Sequence, residues 1–274
     1  MTGHNQPCGE TLPLQTVWMM QACNQADRET LFAIRYAAEK LCIRTDEAGL
    51  PLEPELRSAY LTLMKTGCRL QYQIACSEEL LSYENGLNCS DETIDLCRML
   101  RHFVNLTEEL SDGRIMIGEC MIPHGLYAQM QPERLNFVLL DMLSTALREL
   151  PEANVMDFTA ETVQTELRIE MVLRHDAARE TEPFAVKAAE DDALPYSPAS
   201  LTKRFCACCQ ARILRRFTDG KCVCVLGIPA AAALNPLVKV GSDSAYYPDD
   251  ALFRSVLSDF IPMETILTAA ADCM

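Results

Sequence analysis

The chain has 274 residues, of which 49% are hydrophobic and 23% are charged; this composition is typical of a globular protein with one large or two modest domains. Its formal net charge of −15 argues against nucleic-acid or anionic-membrane partners, because both are polyanions. No segment approaches the roughly 20 apolar residues of a membrane span, and the first residues do not resemble a signal peptide. We therefore expect a cytoplasmic protein. The fourteen cysteines agree with this, because most lie in apolar periodic segments, where free cysteine behaves as a small hydrophobic residue.

Two long helices are predicted at the start of the chain, over Leu14–Ile43 and Pro54–Tyr83, separated by a break rich in glycine and proline. The second helix carries a heptad seam, made of Leu56, Tyr60, Leu63, Gly67, Leu70, Ile74, Ser77 and Leu81. A two-helix hairpin cannot bury such a seam alone, so the pattern favours a homodimer built as a four-helix bundle. The alternative is that the hairpin packs on the downstream part of its own chain.

Helices and strands alternate in the middle of the chain. After a polar linker, Ser90 is expected to cap a helix that carries Ile94, Leu100 and Phe103. The next predicted elements, in chain order, are a strand at Ile115–Ile117, a helix at Gln131–Leu147, strands at Asn154–Thr159 and Thr165–Arg174, a loop or lid from His175 to Pro198, a helix at Ser200–Gln210, and a hairpin of Ala211–Phe217 with Lys221–Ile228. This order predicts an α+β fold, in which a helical hairpin precedes an α/β sandwich.

The helix at Gln131–Leu147 is apolar on most of its surface and carries one polar pair. Asp141 and Thr145 lie four residues apart, so both point the same way. Downstream, an amphipathic helix is predicted over Asp249–Phe260, and a second helix from Met263.

Three segments resemble, in the same order, the core of bacterial sensor histidine kinases. Met130–Ala146 is similar to that family's segment Asp-Pro-x-Arg-Leu-x-x-Val-Leu-x-Asn-Leu-Leu-x-Asn-Ala. Thr30–Leu41 resembles the segment after its phosphorylated histidine, and Ser200–Pro229 resembles its last helix and closing hairpin. The resemblance implies a dimerisation hairpin over residues 1–85, a Bergerat-type (GHKL) ATPase domain over 86–230, and a tail over 231–274.

The departures from that family all affect its chemistry. Gln25 stands where the resemblance places the phospho-accepting histidine, and an amide is not a nucleophile. Asp141 and Thr145 replace the two asparagines that the family uses to hold magnesium and triphosphate. There is no glycine between Gly125 and Gly220, although the family's nucleotide loops need glycine for close backbone approach.

These departures predict a catalytically inactive, histidine-kinase-like protein that acts in bacterial signalling through protein contacts. The resemblance implies a response-regulator receiver domain, or a true histidine kinase, as partner, and no cofactor is expected. One alternative is a divergent ATPase or kinase that binds ATP and Mg²⁺ through Asp141 and Asp176, where Asp176 is the one candidate acceptor for adenine. Another is a phosphotransfer protein of the same architecture, although Gln25 argues against it.

The cysteine and arginine clusters are further candidate sites. Zinc binding by Cys206, Cys209, Cys222 and Cys224 is an alternative to core packing, which we favour because these thiols lie in regular elements rather than tight turns. A cysteine nucleophile would need a base, and nothing in the sequence places one. A small basic cluster is made of Arg212, Arg215 and Arg216. We interpret it as part of a solvated edge strand; the alternative is a phosphate-binding site. Finally, we expect Asp249–Phe260 to pack on the ATPase-like domain, where a lid or nucleotide would otherwise lie.

Overall fold

The structure is a computed structural model that describes residues 14–47, 53–84, 92–164, 166–179, 184, 198–229, 250–258 and 260–261. Its elements, in chain order, are α1 (Leu14–Glu47), α2 (Pro54–Glu84), β1 (Glu92–Asp95), α3 (Leu96–Leu110), β2 (Met116–Met121), β3 (Tyr127–Met130), α4 (Pro132–Glu149), β4 (Val155–Val163), β5 (Glu166–Arg174), α5 (Pro198–Cys209), β6 (Arg212–Thr218), β7 (Lys221–Pro229) and α6 (Asp250–Leu257). The predicted α+β class is confirmed. The predicted cap at Ser90 and the second tail helix from Met263 lie outside the described residues.

Helices α1 and α2 form a hairpin. Most described side chains of α1 are exposed, whereas most of those in the second half of α2 are half-buried or buried. Side chains join the two helices, because Asn24 Nδ2 donates to Ser77 Oγ at 3.2 Å and Arg28 forms an ion pair with Glu78. Along the seam of α2, the members Leu56, Leu63 and Leu70 are exposed, whereas Gly67, Ile74 and Leu81 are buried. The seam therefore divides by heptad position: one set of positions is exposed and the other is buried within this chain. Among the described helices, none combines the length and the apolar character that crossing a bilayer requires.

The five-stranded sheet has the order β2-β4-β5-β7-β6. Only β2 and β4 pair in parallel; the other pairs are antiparallel. Alternation along β5 predicts a single apolar face, and Leu167, Ile169, Met171 and Leu173 are indeed buried on it. The helices pack on this face, where the ring centroids of Phe103 in α3 and Phe158 in β4 are 6.0 Å apart.

The predicted start of helix α3 was wrong. Residues Glu92–Asp95 do not open a helix; they form β1, which pairs antiparallel with β3, a strand that was not predicted. Helix α3 begins at Leu96, and its cap is Asp95, whose side chain accepts from the backbone N–H of Arg98. Thr93 and Ile94 are β-branched, which suits a strand, and the predicted strand at Ile115–Ile117 runs on to Met121.

The carboxyl-terminal half of α2 packs on the α/β part of the chain. The aromatic rings of Tyr72 in α2 and Phe137 in α4 have centroids 6.0 Å apart. Arg134 of α4 places its guanidinium 3.7 Å from the centre of the Tyr83 ring, and its Nε lies 2.6 Å from Glu79 Oε1. Both parts share one hydrophobic core, so the division at residue 85 stays a prediction.

The tail helix α6 lies against α2, α3 and α4. Its apolar face is buried; the residues are Leu252, Phe253, Val256, Leu257 and, just beyond the helix, Phe260. The Phe253 ring meets Phe103 edge-on at a centroid distance of 4.9 Å, and Phe260 meets Phe184 in the same way at 6.4 Å. The expectation that this helix packs on the α/β part is confirmed. The structure adds that it also packs on the hairpin, and so links the two parts.

Candidate functional site

Asp141 lies on α4, and the sequence explains where this helix begins. Pro132 occupies the first turn of α4, where its missing N–H has no helical acceptor, and Glu133 complements the positive helix end. Most of the residues from Pro132 to Leu147 are buried, so α4 is enclosed on nearly all sides. The Asp141 side chain is only 3% exposed. A carboxylate this deep needs partners to remain charged.

Two polar groups from other elements bind the Asp141 carboxylate. Arg215 Nη2, on β6, lies 2.8 Å from Oδ2, and Thr202 Oγ1, on α5, donates to the same oxygen at 2.9 Å. The sheet register explains the reach of Arg215, because it lies beside Cys224 in a cross-strand row with Met171 on the buried face. The carboxylate therefore already has a cation and a hydroxyl donor from its own chain.

Helix α2 contributes to the surroundings of Asp141. Burial raises the pKa of the Tyr72 hydroxyl and of the Cys76 thiol, and the negative charge of Asp141 adds to both shifts. Tyr72 and Cys76 therefore stay neutral beside the ion pair. Together α2, α4, α5 and β6 surround the position at which the family resemblance would place magnesium.

Asp176, another predicted nucleotide residue, has partners of its own. Asp176 follows β5, and its Oδ1 accepts from the backbone N–H of Ala178 at 3.0 Å, which is an Asx turn. Its backbone N–H donates to Asn154 Oδ1 at 2.7 Å, and its carbonyl accepts from Asn154 Nδ2 at 3.0 Å. Thr145 is half-buried, one turn after Asp141. The hydrogen-bond partners of Asp141 and Asp176 are different residues, so these bonds do not join the two carboxylates.

Gln25 lies exposed on α1, beside the contact with α2. Its Nε2 donates to Glu29 Oε1 at 2.8 Å, one turn further along the helix. The position is therefore accessible, but an amide stands where phosphoryl transfer would need an imidazole.

The four candidate zinc ligands lie in two elements. Cys222 and Cys224 are buried on the inner face of β7, with sulfur atoms 3.9 Å apart, and Cys206 and Cys209 are half-buried on α5. Burial raises the pKa of the Cys206 thiol, which disfavours the thiolate that zinc requires. Among the residues that the structure describes, no group of three or more histidine, cysteine, aspartate or glutamate side chains is arranged to hold a metal ion.

Sequence reasoning missed the residues that bind Asp141. The sequence predicts that Arg215 lies on a solvated edge strand or binds a phosphate. The edge strand is correct, because β6 is at the edge of the sheet. The role of Arg215 is different, because its side chain faces inwards and pairs with Asp141. Arg212 does lie at the surface, paired with Glu166 at 2.8 Å. The alternation of Ile213, Arg215 and Phe217 carried the signal, since it places Arg215 on the strand's inner face.

A two-helix hairpin, followed by a mixed five-stranded sheet with helices on one face, defines the class: the fold is that of a histidine-kinase core. Full-length ShkA, in complex with AMPPNP, has a similar structure at 17% identity and a TM-score of 0.51, covering 80% of this chain and 47% of ShkA. The chain thus spans about half the length of that kinase.

Two further solved structures match less closely. Histidine kinase AdeS of Acinetobacter baumannii is 12% identical, with a TM-score of 0.45 over 74% of this chain and 96% of AdeS. Histidine kinase ThkA, in complex with the response regulator protein TrrA, is 13% identical, with a TM-score of 0.45 over 82% of this chain and 65% of that one. No protein-family model and no curated protein matches the sequence.

Proposed function

We propose that this protein is a catalytically inactive member of the histidine-kinase fold, which acts in bacterial signal transduction by binding other proteins. The observation that supports this most directly is that the Asp141 carboxylate already has partners within the chain. Where the resemblance places a magnesium and phosphate ligand, the carboxylate is bound to Arg215 and Thr202. The guanidinium supplies the positive charge that the metal ion would supply in a kinase.

Binding Mg²⁺ at Asp141 would require the ion pair with Arg215 to break. Mg²⁺ demands near-octahedral oxygen ligands and usually keeps several waters, which the buried surroundings of this carboxylate do not favour. Asp176 Oδ1 already accepts from the Ala178 N–H, so part of the acceptor capacity of this carboxylate is used within its own turn. The glycines that would let backbone amides approach the phosphates are missing from the sequence. These contacts weigh against the alternative of a divergent ATPase.

A phosphorylation assay tests this function. The full chain is incubated with γ-labelled ATP and Mg²⁺, beside an active histidine kinase as positive control. We expect no acid-labile phosphate on the chain, because Gln25 provides no nucleophile. Incorporation of label at any of the four histidines would contradict the proposal.

The hairpin carries the surface that we propose for homodimerisation. Leu56, Leu63 and Leu70 recur every seven residues on α2 and are exposed, and α1 adds exposed Trp18 and Phe32. Exposed apolar side chains that recur at heptad spacing, as the three leucines do, are typical of a helix interface. A second copy of the hairpin would cover them and complete a four-helix bundle. The proposal of a receiver domain or a kinase as further partner rests on the resemblance of this hairpin to the family.

Replacing Leu63 with glutamate is expected to dissociate the dimer, because a charge would be buried in the seam. The measurement is light scattering coupled to size-exclusion chromatography, at micromolar protein. Gln73→Glu, an equally acidic change at an exposed position of the same helix, is the matched control and should remain dimeric. A monomeric unmodified chain, or a variant Leu63→Glu that remains fully dimeric, would refute this interface.

A further inference from the structure

A second cluster of reactive side chains lies at the start of α3. Cys97 is the second residue of this helix. Arg101, one turn later, donates from Nε to Cys97 Sγ at 3.3 Å, and Nδ1 of His124 lies 4.0 Å from the same sulfur. Asp141 and its partners belong to α4, α5 and β6, so the two clusters share no residue.

The backbone keeps these three side chains together. Arg101 Nη2 donates to the carbonyl of Ile122 at 3.0 Å, which ties α3 to the loop that follows β2. The N–H of Leu96 donates to the carbonyl of Leu126 at 2.9 Å and ties the helix start to the other end of that loop. His124 lies between these two attachments, so the backbone that carries it is held close to the start of α3.

This arrangement combines the features that activate a thiol. A thiolate, rather than a thiol, is the nucleophile, and it is favoured at helix amino-termini and beside cationic side chains. An imidazole with unprotonated Nδ1 can accept the thiol proton, which is the pairing that cysteine nucleophiles use. Such a base could not be assigned from the sequence alone, because His124 is 27 residues from Cys97. Cys97 itself is 7% exposed, but the two groups in contact with it, Arg101 and His124, are exposed, so a small reagent can approach between them.

We propose that Cys97 is a reversible modification site, which forms a mixed disulfide with low-molecular-weight disulfides. His124 takes the proton from the Cys97 thiol, and the thiolate attacks one sulfur of the disulfide. The new S–S bond forms as the old one breaks, and the departing thiolate takes the proton from His124. One disulfide is consumed and one small thiol is released, so electrons and atoms balance without another reactant. Such a change would add a bulky group where α3 meets the loop after β2.

The test uses the full chain with oxidised glutathione as the probe, and isotope-coded alkylation with mass spectrometry to follow each cysteine. Cys97 is expected to react about 10-fold faster than Cys23, an exposed thiol on α1. Arg101→Met should remove most of this advantage, whereas Arg101→Lys, which keeps the charge, should retain it. His124→Gln should slow Cys97 while leaving Cys23 unchanged.

Cys120 provides the matched control, since it is an exposed thiol near the same guanidinium. Cys120→Ser should leave the rate at Cys97 unchanged. Thermal melts of each variant establish that it is folded, so that a slow rate is not a folding defect. The proposal fails if Cys97 reacts no faster than Cys23, or if folded Arg101→Met and His124→Gln variants react at the unmodified rate.

Discussion

Replacing Arg215 with methionine is expected to destabilise the protein by about 3 kcal/mol, because Asp141 would remain buried without its cation. Methionine keeps much of the side-chain volume, so the loss would come from the charge rather than from a cavity. Arg215 is 33% exposed, so the partner position has some access to water, and the estimate takes the lower end of the usual range. Urea denaturation followed by circular dichroism measures the free energy of unfolding.

Two variants separate the ion pair from other effects. Arg216→Met, on the opposite face of the same strand, should change stability by less than about 0.5 kcal/mol. Adding Asp141→Asn to Arg215→Met should recover much of the loss, because the uncompensated charge is then removed. If Arg215→Met and Arg216→Met behaved alike, Asp141 would not depend on this guanidinium.

Removing the Phe253 side chain is expected to destabilise the protein by about 3–4 kcal/mol, the usual range for truncating a buried aromatic residue to alanine. Phe253 is fully buried and packs on Phe103, at the place where α6 links α3 to α2. The loss should therefore extend beyond α6, and hydrogen exchange should become faster in the carboxyl-terminal half of α2. Urea denaturation and exchange mass spectrometry measure the two effects.

Phe217→Ala is the matched control for this prediction. The Phe217 side chain is 49% exposed on β6, so its truncation should have a small effect on the free energy of unfolding. A Phe253→Ala variant as stable as the Phe217→Ala variant would mean that α6 is not docked in solution.

The elements that the sequence predicted well are those with long, regular patterns. Helix α4 and strand β5 each present a nearly unbroken apolar face, and the structure places both where the pattern predicts. Strands β1 and β3 have four residues each, too few for an alternation to emerge. They depend on pairing with each other, and the partners Thr93 and Gln129 are 36 residues apart in the sequence. Pairing of that range is a tertiary effect, so the local sequence of Glu92–Asp95 was mistaken for a helix start.

The candidate site was predictable only in part, for a similar reason. Asp141 is recognisable from the sequence as a candidate, because a charge on an apolar helix needs a partner. The partner is 74 residues away in sequence, and only the register of β6 against β7 brings Arg215 to the inner face. Cys97 and His124 are another such pair. In both cases the residue type indicates chemistry, and the fold decides which chemistry is available.

The heptad seam of α2 illustrates how one pattern can serve two purposes. From the sequence, the seam could be buried either in a homodimer or against the rest of the same chain. The structure buries one set of heptad positions, Gly67, Ile74 and Leu81, inside this chain, whereas the other set, Leu56, Leu63 and Leu70, stays exposed. We therefore propose that intramolecular packing and dimerisation use different parts of the same helix.

The most direct test of the central claim is a calorimetric titration of the full chain with ATP and Mg²⁺. We expect no saturable heat up to millimolar nucleotide, because Asp141 is bound to Arg215 and Thr202. An active histidine kinase titrated under the same conditions serves as the positive control. Saturable binding at micromolar nucleotide, weakened by Asp141→Asn, would contradict the proposed function and show that the protein binds nucleotide.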